Sequence, residues 1–102
     1  MLKDYKLILS PKAGENLQEI FDYHIKNDTN ARKVTANLIK SILILKEFPK
    51  LGNYVFDRKL KRQKYRVYRF DKYLCFYKIA NKTINIDTII HSARDYFSLI
   101  KK

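Results

Sequence analysis

Only two glycines and two prolines occur in the 102 residues. So sparse a supply leaves no Gly-rich loop to cradle a nucleotide phosphate and no linker composition to divide the chain. Cysteine is nearly absent too. Cys75 stands alone, so no intrachain disulfide is possible and a reducing cytosol, hence a cytoplasmic location, fits. It lies inside an apolar run, where a thiol serves as a small buried hydrophobe. Histidine is limited to His24 and His91, far apart in sequence, and no carboxylates gather at ligand spacing, so neither a metal nor another cofactor is expected. A run of about 18 apolar residues is also missing, which removes a spanning helix. The opening MLKDYKLILS carries an acid and too short an apolar stretch for a signal peptide. There is no nucleophile elbow.

Acidic residues are the other scarcity: 10 stand against 22 basic ones, a formal net charge of +12. Self-repulsion of that size costs stability, so a polyanionic partner is its natural explanation. Nucleic acid, an acidic protein and an anionic membrane surface all qualify. What the chain has in quantity is apolar: a 46% hydrophobic fraction with 8 Tyr and 6 Phe predicts a folded globule, one domain over residues 1–102.

Taken in order, Tyr5–Leu9 predicts a short strand, and Ser10-Pro11 supplies an N-cap with Pro at the first helical position. Ala13, Leu17, Ile20, Phe21 and His24 share a helical face, so this helix runs to about Lys26 and breaks at Asn27–Asn30. His24 on that face reads as a core or boundary residue. From Ala31 a second helix carries Val34, Leu38, Ile42 and Leu45, widened by Ile39, Leu43 and Ile44, and ends at Phe48-Pro49 before Gly52. The short link predicts a helical hairpin, which must pack on a sheet to bury its stripes. Asn53–Leu60 reads as loop with an extended patch at Tyr54–Phe56. Three strand runs follow, Tyr65–Phe70, Tyr73–Ile79 and Thr83–Ile90, separated by Asp71-Lys72 and by Ala80–Lys82, the pattern of an antiparallel meander. Alternation puts Ile84, Ile86 and Ile90 on one face of the last strand. Arg94–Ile100 reads as a short C-terminal helix. The expected class is α+β: strand, helical hairpin, three-stranded antiparallel meander, terminal helix.

The meander also collects the charge. Lys50 to Lys72 holds nine basic residues against Asp57 and Asp71 alone, interleaved with Tyr54, Tyr65 and Tyr68. Such a patch suits phosphate contacts with base stacking, although an acidic protein predicts the same surface. Its basic residues are expected to form one cationic sheet face with the helices behind. His91 closes the last strand and Arg94 follows three residues on. A strand-end His beside Arg and Tyr can act as general acid or base on a phosphodiester, its pKa lying near neutrality. The plainer reading has His91 capping the strand and Arg94 pairing with Asp95 or Asp87.

Several stretches together resemble the RelE/ParE superfamily of toxins from bacterial type II toxin–antitoxin modules. They are Tyr5…Ser10-Pro11-x-Ala13…Leu17…Ile20…Tyr23, then Leu45-x-x-Phe48-Pro49-x-x-Gly52, then Tyr65-Arg66-Val67, Tyr73–Ile79 and Ile84-x-Ile86…Ile90-His91-x-x-Arg94-Asp95. The resemblance implies a cytoplasmic growth-arresting toxin silenced by a cognate acidic antitoxin, with no membrane partner. RelE-like members cleave messenger RNA on the ribosome without a metal, whereas ParE-like members poison DNA gyrase.

On the nuclease reading, which comes first here, His91 moves the proton, Arg66, Arg69 and Arg94 hold phosphate, and Tyr96 stacks or assists. Lys61, Arg62, Lys64 and Tyr68 would bind the RNA. The His-x-x-Arg-Asp ending is closer to ParE-like members. Leu74 stands where RelE-like nucleases carry an Arg, and Arg94 is one residue away from its counterpart. Gyrase inhibition is the alternative, with those residues doing no chemistry, and a module that has kept antitoxin binding but lost toxicity is a third.

Overall fold

The computed structural model describes residues 5–27, 30–55 and 58–91. Within them the chain forms β1 (Lys6–Leu9), α1 (Pro11–Lys26), α2 (Ala31–Ile44), β2 (Asn53–Tyr54), α3 (Arg58–Arg62), β3 (Arg66–Phe70), β4 (Tyr73–Ala80) and β5 (Thr83–His91). The fold is α+β, as the strand and helix patterning predicts. The expected terminal helix over Arg94–Ile100 lies outside the described residues, as do Phe56 and Asp57.

The meander β3-β4-β5 is extended at both edges into a five-stranded sheet ordered β1-β5-β4-β3-β2. β1 runs parallel to β5, and the two residues of β2 pair antiparallel with β3. Both hairpin turns use non-glycine residues at positive φ: Asp71 in the first, Asn81 and Lys82 in the second. Arg58–Leu60, expected as loop, is helical and continues as α3 to Arg62. Its five residues, RKLKR, are all good helix formers with no breaker among them.

Helix α1 starts where the sequence places it. Pro11 occupies the first turn, and the Ser10 hydroxyl accepts from the Ala13 N–H at 2.9 Å. Asn30 caps α2 in the same manner, accepting from the Lys33 N–H at 3.2 Å. α1 packs on α2, β5 and β1. Between helices and sheet lies the main core, built from Ala13, Leu38, Ile42 and Leu45 against Phe70, Tyr73, Cys75, Tyr77, Ile84, Ile86 and Ile89. Ile39, Leu43 and Ile44, expected to widen the buried stripe of α2, are exposed instead. A smaller cluster on the reverse face joins Val55, Leu74, Phe76 and Ile90, with Tyr65 and Val67 against it.

One irregularity decides which residues face which core. Phe76 pairs with Thr88 but its neighbour Tyr77 pairs with Ile86, so Asp87 is an extra residue in β5. Such a bulge reverses the inside–outside alternation beyond it. Ile84 and Ile86 therefore share the helix side with Ile89, whereas Ile90 turns to the reverse face. The simple alternation that put Ile90 beside Ile84 and Ile86 is corrected accordingly. The bulge is held by α1. Ser10 Oγ donates to the Asp87 carbonyl at 2.8 Å, and Asn16 Oδ1 accepts from the Ile89 N–H at 2.9 Å.

Ser10→Ala therefore removes a helix cap and a bulge contact together. Its expected cost is about 1–2 kcal/mol, read as a lower urea midpoint with an unchanged slope. Burial pushes the Cys75 thiol up to about 12. The unfolded thiol ionises near about 8.5, so this term is fully present below that pH and is lost as pH climbs toward 12. Disulfide-exchange reagents at pH 8 should label Cys75 only after unfolding. Fast labelling of the native protein contradicts this burial.

Candidate functional site

Arg66 stands on the helix side of β3, opposite Tyr77. Its guanidinium does not point into open solvent. Nη1 donates to the Gly52 carbonyl at 2.6 Å and reaches the Lys50 carbonyl at 3.5 Å, while the planar head lies 4.3 Å above the Tyr54 ring. These contacts are a cation–π pair and charge-assisted hydrogen bonds, both fixing the side chain. Beneath them Tyr77 is fully buried, and its hydroxyl accepts from the Gly52 N–H at 2.8 Å and donates to the Pro49 carbonyl at 2.7 Å. Burial raises the Tyr77 pKa, against the opposing pull of the Gly52 N–H and Arg66. Gly52 is required by space: a Cβ there would stand 2.7 Å from the Val67 carbonyl and 2.8 Å from the Tyr77 hydroxyl.

The other cationic residues are distributed around this point. Lys61 and Arg62 lie exposed on α3, Lys64 is exposed in the turn that follows it, and Arg69 is exposed on β3. Strand alternation places Arg69 on the face opposite Arg66 and Tyr68. The expected single cationic face therefore does not form, because a period of two cannot carry Arg66 and Arg69 to one side. Tyr68 is half-buried against the main core and packs on Phe70 at 5.4 Å between ring centroids. On the reverse face the Lys78 ammonium covers the Tyr65 ring at 4.8 Å. Leu74, where the resemblance to RelE-like nucleases calls for Arg, is only 7% exposed in the reverse-face cluster.

His91 falls elsewhere. It pairs across the ladder with Tyr73, and the two rings meet edge to face at 5.6 Å. Tyr73 in turn shares a hydrogen bond of 3.0 Å with His24 Nε2, and His24 abuts Tyr23 at 5.3 Å. The last turn of α1 and the facing ends of β4 and β5 thus bring both histidines to one tyrosine. Burial raises the Tyr73 pKa, helped by the negative charge of Asp71 and by Tyr23. Sequence patterning placed His24 at the core boundary but missed its link to Tyr73. The available signal was its position in the last turn of a helix that must cross the sheet end.

Arg66 and His91 do not converge. Their partners on β4 are Tyr77 and Tyr73, four residues apart, or about 13 Å along the strand. The two strand spacings between β3 and β5 add roughly 10 Å across, and Arg66 points toward the β2 edge. Arg94 and Tyr96 lie outside the described residues. Among the described residues no group of three or more His, Cys, Asp or Glu side chains could hold a metal ion.

Residues 7–96 match the family model described as the ParE toxin of the type II toxin–antitoxin system parDE. Among solved structures the chain is similar to one titled as the chromosomal ParDE toxin–antitoxin system from P. aeruginosa. The two are 16% identical with a TM-score of 0.73, over 85% of this chain and 95% of that one. At that identity the likeness is one of fold. No curated protein matches the chain in sequence.

The Tyr77 hydroxyl can be checked directly. Tyr77→Phe would strand a buried N–H and a carbonyl, costing about 1–3 kcal/mol, and should speed hydrogen exchange at the Gly52 amide. Gly52→Ala should destabilise as well, by overpacking against backbone rather than against a movable side-chain end. Unchanged melting and exchange in both variants would mean that this loop is not held as described.

Proposed function

The chain belongs to the ParE toxin family of type II toxin–antitoxin systems, and from that premise we propose that it arrests growth by binding DNA gyrase, not by cutting RNA. An antitoxin is its partner by membership of such a system. The gyrase target is supported chiefly by the separation of Arg66 from His91. Metal-free cleavage of an RNA phosphodiester needs a base on the 2′-hydroxyl, cations on the developing phosphorane and an acid on the leaving oxygen, all around one phosphorus. Arg66 is committed to the Gly52 carbonyl and the Tyr54 ring, and its partner on β4 lies four residues along from the partner of His91. Arg69 faces the reverse side, and Leu74 offers no charge.

A binding toxin has no such demand. Its cations need only steer and hold a large anionic assembly, and a net charge of +12 does that from scattered positions. Gyrase engaged on DNA presents such a surface. The cytoplasm, where gyrase and the antitoxin meet the toxin, is the location this reading assigns. No helix among the described residues is long and apolar enough to cross a membrane.

Two purified assays separate the readings. Gyrase supercoiling should fall as the protein is added, with cleaved DNA accumulating, while a translation extract keeps working and its mRNA stays whole. Codon-phased mRNA cuts lost on His91→Gln and on Arg66→Ala would replace the gyrase reading with a ribosome-dependent nuclease. Failure to inhibit either process, together with no growth arrest on induction, would leave only antitoxin binding.

A further inference from the structure

Helix α3 and the turn after it carry the densest positive charge on the chain. Arg58, Lys59, Lys61, Arg62 and Lys64 fall within seven residues, and Asp57 is the one acid between Lys50 and Lys64. At about 100° per residue the four basic residues of the helix share an arc of about 160°, with only position 60, a leucine, outside it. The helix is about 7.5 Å long, within one screening length at physiological salt, so its cations act together at contact range. All five basic residues are exposed, and among the described residues none of their side chains has a hydrogen-bond or ion-pair partner. Arg66, by contrast, is spent on the Gly52 carbonyl.

The backbone beneath these cations is held. Gln63 donates its N–H to the Lys59 carbonyl at 3.3 Å and Lys64 to the Lys61 carbonyl at 2.8 Å, where Lys64 closes the helix at a φ of 66°. On the flanks Val55, 3% exposed, donates its N–H to the Tyr65 carbonyl at 3.3 Å, and both residues pack in the reverse-face cluster. A ligand gripped here costs side-chain freedom but little backbone freedom.

What the segment lacks selects its partner. Large apolar side chains stand uncovered on β1, α1, α2 and residues 48–54, but none is among the described side chains of 58–64. An acidic protein would need such anchors at the centre of its footprint. Nor does the segment hold an aromatic residue, and the flanking Tyr54 and Tyr65 already carry Arg66 and Lys78 over their rings. Single-stranded nucleic acid is held by stacking on open aromatic faces, whereas a duplex backbone asks only for cations. We infer that α3 and Lys64 grip the phosphate backbone of duplex DNA. About four phosphates lie within the length of the helix. The inference rests on the gyrase reading above and adds to it a direct contact with the DNA that gyrase holds.

The test measures fluorescence anisotropy of a short labelled DNA duplex titrated with the purified chain over a range of salt. Wild-type affinity should fall with a log–log salt slope of about −3 to −4. Lys59→Gln/Lys61→Gln/Arg62→Gln/Lys64→Gln keeps helix-forming side chains, and circular dichroism melting checks that it folds. It should bind at least about tenfold more weakly at about 0.1 M salt, with a slope flatter by about 2 or more. Lys61→Ala, the milder variant, should flatten the slope by about 1. Arg32→Gln/Lys33→Gln/Lys40→Gln/Lys46→Gln removes as much charge from exposed positions on and just after α2 and should stay within about threefold of wild type. Equal weakening by both quadruple variants, an unchanged slope in Lys61→Ala, or no duplex binding by the wild type overturns the inference. Tighter binding to the single strand or to an RNA duplex of the same sequence also overturns it. So does a loss of antitoxin affinity in the α3 variant with duplex affinity unaltered, since the partner is then an acidic protein. Duplex binding lost in the α3 variant, from a wild type that leaves gyrase supercoiling untouched, supports the DNA site and overturns the gyrase reading alone. Undiminished gyrase inhibition by an α3 variant that still binds duplex as the wild type does overturns the DNA site alone.

Discussion

The extra residue at Asp87 fixes the sidedness of the whole second half of β5. Before it, Ile84 and Ile86 point at the helices; after it, Ile89 and His91 do, where an unbroken alternation would have turned them outward. The bulge is not maintained by β5 itself. Ser10, which caps α1, donates to the Asp87 carbonyl, and Asn16, six residues further along, receives the Ile89 N–H. The helix start and the strand irregularity thus stabilise each other. The same two contacts bring His91 to Tyr73 and keep Ile90 in the reverse-face cluster. One short stretch of helix thereby settles both the packing and the surroundings of the histidine singled out for chemistry.

A second anchor works from Tyr77, beside the bulge, toward the β2 edge of the sheet. The buried Tyr77 hydroxyl has a donor and an acceptor of its own in the 49–52 loop, and Gly52 lets that loop approach within the space a methyl group would need. Arg66 closes the arrangement from above, spending a positive charge on a backbone carbonyl and an aromatic face. A cation used in this way is a structural part of the loop. Its removal therefore disturbs the 49–52 geometry whether or not the protein acts on RNA, and loss of toxicity in an Arg66 variant alone does not identify a catalyst.

Much of this architecture can be read from local pattern. Ser10-Pro11 marks the start of α1, the spacing of Leu38, Ile42 and Leu45 marks the buried side of α2, and polar breaks delimit the three meander strands. What escapes is set by partners distant in sequence. Asp87 bulges because Ser10 and Asn16 claim its neighbourhood, more than seventy residues away, and nothing in TINIDTIIH announces it. β2 is two residues long and exists only because β3 lies beside it. His24 and Tyr73, 49 residues apart, share a hydrogen bond that neither run predicts. The opposite facing of Arg66 and Arg69 follows from the alternation of β3, which sets Arg66 with Tyr68 and Phe70 and Arg69 with Tyr65 and Val67; only the charge count suggested a single cationic face.

Net charge alone therefore says little about where an anionic partner sits. Coulomb attraction between exposed charges is screened within about 8–10 Å at physiological salt, so cations on α3, on both faces of β3 and in the loop act as separate neighbourhoods at close range. From further away they add into one field that speeds encounter. Selectivity must come from places where that field meets shape and fixed apolar surface. The 47–51 groove has a held backbone, uncovered Phe48 and Leu51, and one charge of each sign, Glu47 and Lys50, in its lining. The His24–Tyr73–His91 cluster also has fixed geometry, with Tyr73 buried, His91 exposed, and the exposed ring of Tyr23 against His24. At either place the surrounding charge sets the rate at which a partner arrives more than how long it stays.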